Sequence, residues 1–170
     1  YKKVENLLDA WVDLGDSVSR WPLVVAGAPY DADYARQMEE RSRAARGAVH
    51  FTGALDAPAL GALMAACRVF VFTSEAENLP ITLLEAMAAG CPILTNRTCS
   101  MPETCGEAAA YADPPCADEY RAELERLLFD DGYRNDLRAR ALERAKRYRW
   151  SEAAAQTLAV LRAAGAEAGR

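Results

Sequence analysis

The chain has 170 residues, 51% of them apolar, which is enough for one domain with its own core and too few for two full ones. Its 20 Lys and Arg are scattered among 25 Asp and Glu, and the net charge of −5 argues against a dedicated nucleic-acid surface. No apolar run reaches the roughly 18 residues of a membrane span, the polar start YKKVEN is no secretory signal, and a single histidine, His50, excludes histidine-rich metal sites.

In chain order, residues 4 to 14 carry a helical stripe at Val4, Leu7, Leu8, Trp11 and Leu14, after which Pro22 introduces the short apolar run LVVAG, a strand. Residues 31 to 45 are polar and Arg-rich and suit a solvated helix. Asp31 and Asp33 have the D-x-D form of a metal motif, but in this polar loop they read as a turn or helix cap. VHFTG follows as a strand, with His50 as a packed strand histidine. In DAPALGALMAA, Asp56 is placed as N-cap and Pro58 in the first turn of the next helix. VFVFTS is a continuous apolar run of the kind buried on both faces of a sheet.

Next come the helix in SEAENLPITLLEAMAAG and the strand PILTN. Short strands alternating with helices of about ten residues predict an α/β fold with a parallel, doubly wound, Rossmann-like sheet. We assign this core to residues 1–113 and two amphipathic helices separated by Asp130-Asp131-Gly132, read as a turn, to the C-terminal part of the same domain, 114–170. A last helix comes after them, with Ser151 as N-cap and Trp150 as its hydrophobic staple, and the tail GAEAGR is expected to fray. The cysteines Cys67, Cys91, Cys99, Cys105 and Cys116 are odd in number and lack a C-x-x-C pair. They read as reduced thiols of a cytosolic protein.

Two carboxylates carry the functional question. Glu85 lies in a helix so rich in Leu, Met and Ala that burial nearly all round is expected, and a buried carboxylate needs a partner. Glu77 precedes it by eight positions, so on one ideal helix the two would diverge by about 80°. Pro80 is best tolerated in a first helical turn. The helix should therefore begin near Leu79 or Pro80, with Glu77 in the loop before it. Both glutamates then face the crevice beyond the carboxyl ends of the strands, where the N–H groups of residues 81 to 83 offer an anion site. An anion pole flanked by two acceptor-only carboxylates suits a ligand with phosphate in the middle and hydroxyls at both ends, the layout of a nucleotide sugar.

ENLPITLLEAMAAGCPI resembles the Glu-x7-Glu motif of the retaining GT-B glycosyltransferases of the family-4 type, with ENLP in place of the commoner EGFG or EGFP. YKKVENLLDAW, LVVAG, VHFTGAL, ACRVFVFTS, MPETCGEAAAYADP and RWSEAAAQTL match further blocks of that family in order. The resemblance implies the C-terminal, donor-binding half of such an enzyme, whose acceptor site lies in an N-terminal half not covered by these blocks. By it, Glu85 holds the ribose diol and Glu77 contacts hydroxyls of the transferred sugar. The backbone around Asn78, Leu79 and Thr82 lines sugar and diphosphate, and Leu55 offers backbone groups to the base edge. Lys2 matches the lysine that neutralises the diphosphate leaving group, and the arginine that usually assists it falls upstream of Tyr1. The resemblance further implies no metal and no cofactor, and a departing phosphate that helps deprotonate the acceptor on the same face, retaining configuration.

The activity implied by this resemblance is sugar transfer from a nucleoside-diphosphate sugar to a glycan or lipid-linked acceptor, in polysaccharide or glycolipid assembly. The setting is cytoplasmic, with peripheral attachment to the inner face of the membrane as the variant. The 170 residues alone are expected to be inactive. A non-catalytic nucleotide-sugar-binding or scaffold domain is the non-enzyme alternative. A GT-B sugar-nucleotide epimerase needs more acid/base groups than the chain offers, and a nicotinamide module lacks its G-x-G-x-x-G. The family's donor domain also begins with a central strand ending in Gly-Arg that would precede Tyr1, so either the sheet shows a gap or a rearrangement there or a neighbouring segment supplies the strand.

Overall fold

A computed structural model describes residues 1–168. In chain order it holds α1 (Val4–Asp13), β1 (Leu23–Ala26), α2 (Ala32–Ser42), β2 (Val49–Gly53), α3 (Ala57–Ala66), β3 (Phe70–Val71) and α4 (Ile81–Ala88). After these come β4 (Ile93–Asn96), α5 (Met101–Cys105), β5 (Ala109–Ala112), α6 (Ala117–Phe129), α7 (Asp131–Ala145) and α8 (Trp150–Ala168).

Every ladder is parallel, as the βα alternation predicts, but the strands form two sheets rather than one. β1 pairs with β2, and β3, β4 and β5 pair in that order. Neither β1 nor β3 has a strand partner on its second edge among the described residues. The chain start lies at the carboxyl end of β3, where the Glu75 N–H donates to the Tyr1 carbonyl at 2.9 Å and the Thr73 hydroxyl to the Lys2 carbonyl at 2.6 Å.

β4 is buried at all four positions, and its side chains alternate between two cores. Leu94, with Ala110 and Ala112 of β5, packs under α1 and α6 through Leu8, Trp11, Tyr120, Leu124 and Leu127. Ile93 and Ala109 face the other way, onto Leu83, Ala86 and Met87 of α4, Met101 of α5 and Ala141 of α7. One core on each face of a parallel sheet is the three-layer, doubly wound arrangement.

Local signals hold in several places. Leu7, Leu8 and Trp11 of the predicted stripe form the buried face of α1 with Ala10, Leu14 is buried just past its end, and Val4 is half-buried. Asp31 caps α2 by accepting from the Tyr34 N–H at 2.8 Å, the helix-cap reading of the D-x-D, and Asp56 caps α3 by accepting from the Ala59 N–H at 2.9 Å. α4 ends in a Schellman motif. The Cys91 N–H reaches the Ala86 carbonyl and the Gly90 N–H the Met87 carbonyl, with Gly90 at φ 70°. The positive φ is what asks for glycine here, and a Cβ would in addition press on the Leu142 side chain at 3.2 Å.

Other readings are corrected. Asp130 to Gly132 is not a turn: Asp130 alone breaks the chain and caps α7 by accepting from the Tyr133 N–H, while Asp131 and Gly132 are already helical. α8 starts at Trp150, so Ser151 lies inside the helix, and Trp150 is 79% exposed instead of stapled. The helix runs on to Ala168 through most of the tail expected to fray, and residues 169 and 170 lie outside the described residues. His50 is exposed, because β2 is a sheet edge with one neighbour.

Candidate functional site

β3 ends at Val71, and residues 72 to 80 form the loop that carries Glu77 to the start of α4. Pro80 is the N-cap residue of α4, as its place in a first turn requires. The loop is fixed from below by a buried polar knot. Asn96, at the carboxyl end of β4 and fully buried, donates from Nδ2 to the Ser74 carbonyl at 2.9 Å and to the Thr73 carbonyl at 3.4 Å, within reach of the Tyr120 hydroxyl at 3.1 Å. Its Oδ1 accepts from the Thr98 N–H at 3.0 Å. The Ser100 hydroxyl donates to the Glu77 carbonyl at 2.9 Å.

On this base Glu77 is brought against Lys2. Its Oε1 accepts from Lys2 Nζ at 2.6 Å and from the Ser74 hydroxyl at 2.8 Å, so the carboxylate joins a neighbour in its own loop to a lysine 75 positions away in the chain. Partial burial pushes the Glu77 carboxyl up, but the hydrogen bonds from Lys2 and Ser74 and the lysine's charge outweigh it and hold the group below its ordinary value. The Lys2 ammonium also lies over the Tyr1 and Phe72 rings, 4.7 and 5.6 Å from their centroids.

At the head of α4, the Ile81 and Leu83 N–H groups are already used by the Leu79 and Pro80 carbonyls, which corrects the expectation of three free donors at 81 to 83. The N–H groups without a partner among the described residues include those of Asn78, Leu79 and Thr82. Asn78 and Leu79 are exposed and Thr82 is half-buried.

Glu85 corrects the central expectation of burial. α4 buries Leu83, Ala86 and Met87 toward β4, and Glu85 is exposed, on the face that also presents Ile81 and Ala88. The small and apolar residues around it in sequence suggested an all-round buried helix, but alanine is compatible with an open face, and an uncovered carboxylate needs no internal partner. Leu55 lies in the loop between β2 and α3, after a strand of the other sheet, and no hydrogen bond joins it to the Lys2–Glu77 group among the described residues. A surface hollow lined by Arg97, Tyr111, Glu123, Tyr133 and Arg140 lies beside β5 and contains none of the predicted site residues.

Sequence reasoning missed Ser74, Asn96 and Ser100. The signal was present in part: a run of PIL followed by Thr-Asn places an amide at the carboxyl end of a buried strand, where it must find hydrogen bonds.

The sequence profile of the family described as Glycosyl transferases group 1 matches residues 1–147. The chain belongs to that family. It is 33% identical over 159 residues to the O-antigen chain mannosyltransferase B of Escherichia coli, an alignment that takes in 92% of this chain and 42% of that protein. The chain thus spans less than half the length of that relative. Among solved structures, Anabaena HepE in complex with UDP and glucose superimposes with a TM-score of 0.83 at 20% identity, over 96% of this chain and 45% of HepE. The C-terminal domain of a glycosyl transferase group 1 family protein, LpcC, from Francisella tularensis gives 0.76 at 21% identity, over 85% of this chain and 78% of that domain. Group 1 domains thus share the fold described above.

Proposed function

We propose that the chain is the donor-binding half of a retaining glycosyltransferase that moves a hexose from a nucleoside-diphosphate sugar to a glycan or lipid-linked acceptor. The observation that carries this reading is the Lys2–Glu77 pair at the carboxyl end of β3, beside the N–H groups of Asn78, Leu79 and Thr82, which have no partner among the described residues. Membership of the group 1 family, and a relative named as a mannosyltransferase, support hexose transfer.

The chemistry follows from charge. Breaking the anomeric C–O bond places negative charge on the departing diphosphate and positive charge on the sugar. Lys2 and the three backbone donors stabilise the first without a metal or other cofactor. Glu77, kept ionised by Lys2 and Ser74, receives hydroxyls of the transferred sugar and tolerates the second. Glu85, exposed on α4, grips the ribose diol through charge-assisted hydrogen bonds of about 1.5–3 kcal/mol each. Leu55 supplies backbone groups to the base edge. The departing phosphate takes the acceptor proton on the same face, so configuration is retained. The acceptor comes from a second domain, in cytoplasmic polysaccharide or glycolipid assembly at the inner membrane face. Among the described residues no helix is long and apolar enough to cross a membrane.

A thermal-shift panel of UDP, GDP and ADP tests this reading. A ligand at about 100 times its dissociation constant stabilises the fold by about 2.7 kcal/mol. One diphosphate should raise the melting temperature of the wild type and lose its effect in Glu85→Ala. Equal shifts in both proteins would remove Glu85 from the donor site.

A further inference from the structure

Cys67 and Cys91 are far apart in sequence and in contact in space. Their sulfurs are 3.7 Å apart, and both thiols donate to one acceptor, the Met64 carbonyl, at 3.2 and 3.0 Å. Each is held there by the way a helix ends. Cys67 is the C-cap residue of α3, with its N–H on the Leu63 carbonyl, and Cys91 is fixed by the Schellman bond to Ala86. The two positions lead into β3 and β4, which pair in parallel with Phe70 opposite Ile93, so the backbones arrive side by side. The pair is asymmetric. Cys67 is half-exposed and Cys91 is 1% exposed.

We propose that Cys67 and Cys91 form a reversible dithiol–disulfide site, in which Cys67 attacks an external low-molecular-weight disulfide and Cys91 resolves the product. The Cys67 thiolate bonds to one sulfur of, for example, oxidised glutathione. The glutathione S–S bond breaks, and the first glutathione leaves and takes up the proton that Cys67 gave up. Cys91 then loses its proton as it attacks the Cys67 sulfur and displaces the second glutathione, which takes up that proton. Two protein thiols are thereby oxidised to one disulfide while one external disulfide is reduced to two thiols.

The roles follow from access and charge. Cys67 is the residue of the pair that solvent reaches, so it is the one a solute meets first. When Cys67 ionises, Cys91 donates a hydrogen bond to it and Arg138 adds a favourable charge, and together these outweigh burial and hold Cys67 below the ordinary thiol range. The negative partner and burial push Cys91 up. Closing the bond asks the two sulfurs to approach from contact to about 2.05 Å by side-chain rotation. It would tie α3, whose only buried residue is Met64, to the head of the fully buried β4.

The test uses the 170-residue chain with exposed Cys99 and Cys116 replaced by serine, treated with oxidised glutathione and read by intact mass and peptide mapping. The expected product has lost two hydrogens and yields a linked Cys67–Cys91 peptide pair. Cys91→Ser in that background should retain one glutathione on Cys67, and Cys67→Ser should leave Cys91 unmodified. Independently of any cysteine variant that misfolds, amide exchange across Ala57–Ala66 of the parent chain should slow on oxidation and return with a reducing agent. A glutathione that stays on Cys67 of the parent chain without an internal bond, or no reaction at Cys67, overturns the proposal.

Discussion

Glu85 separates stability from binding. Because it is exposed and accepts no side-chain hydrogen bond among the described residues, Glu85→Ala should change unfolding free energy by less than about 0.5 kcal/mol in urea denaturation, while abolishing the nucleotide-induced thermal shift. Asn96 is the opposite case. Its amide holds the loop of Glu77 from inside the core, so Asn96→Ala leaves the Thr73 and Ser74 carbonyls short of a donor and should cost about 2–3 kcal/mol in the same measurement. Glu77 adds a pH dependence. Its carboxyl lies below 4.5 in the folded chain, so the stability it contributes is complete above that value and is lost as pH falls through the folded pKa. With Lys2 about half exposed, the contribution is under about 1 kcal/mol. Glu77→Gln should therefore flatten the stability profile below about pH 4.5 and leave its shape at neutral pH unchanged. At this scale the sequence pointed to Lys2 and Glu77 only through the family blocks, and the structure brings the two side chains into contact. No local pattern joins residues 75 positions apart, and the Asn96 knot is a tertiary arrangement that a strand-end Thr-Asn hints at but does not locate.

At the scale of elements, caps and apolar stripes were legible because they depend on residues within one turn of each other: Asp31 and Asp56 each accept the N–H three positions on. Burial was less legible. α4 and α8 are both rich in alanine, which marks neither face, and composition alone assigned Glu85 to a buried helix when only one side of α4 is covered. α8 has the same ambiguity and the same outcome, for Trp150 is exposed as Glu85 is. Its residues through Ala166 are all exposed, with Trp150, Leu158, Val160 and Leu161 uncovered. Deleting residues 150–170 should therefore leave the melting temperature within about 2 °C of the parent chain, since burial and not helix length sets what a helix adds to stability. A drop of many degrees in calorimetry would show that α8 packs on the core.

For the whole molecule, parallel α/β architecture was readable from the alternation of short apolar runs with helices, and the break in the sheet was anticipated from the family's central strand. Its consequence was not: the donor-side residues fall in two groups, with Leu55 in the loop after β2 of one sheet and Lys2, Glu77 and Glu85 around α4 and the end of β3, a strand of the other. The proposed seat of the diphosphate, against Lys2 and the start of α4, is local to the second group. An amide chemical-shift titration of the isotopically labelled chain, with the nucleoside diphosphate that stabilises it, reads that seat residue by residue. The largest changes are expected at Lys2, Asn78, Leu79 and Thr82, with smaller ones at Leu55. Changes centred instead on Arg97, Arg126 and Arg140, around the hollow beside β5, would place the diphosphate elsewhere and overturn the donor-site reading.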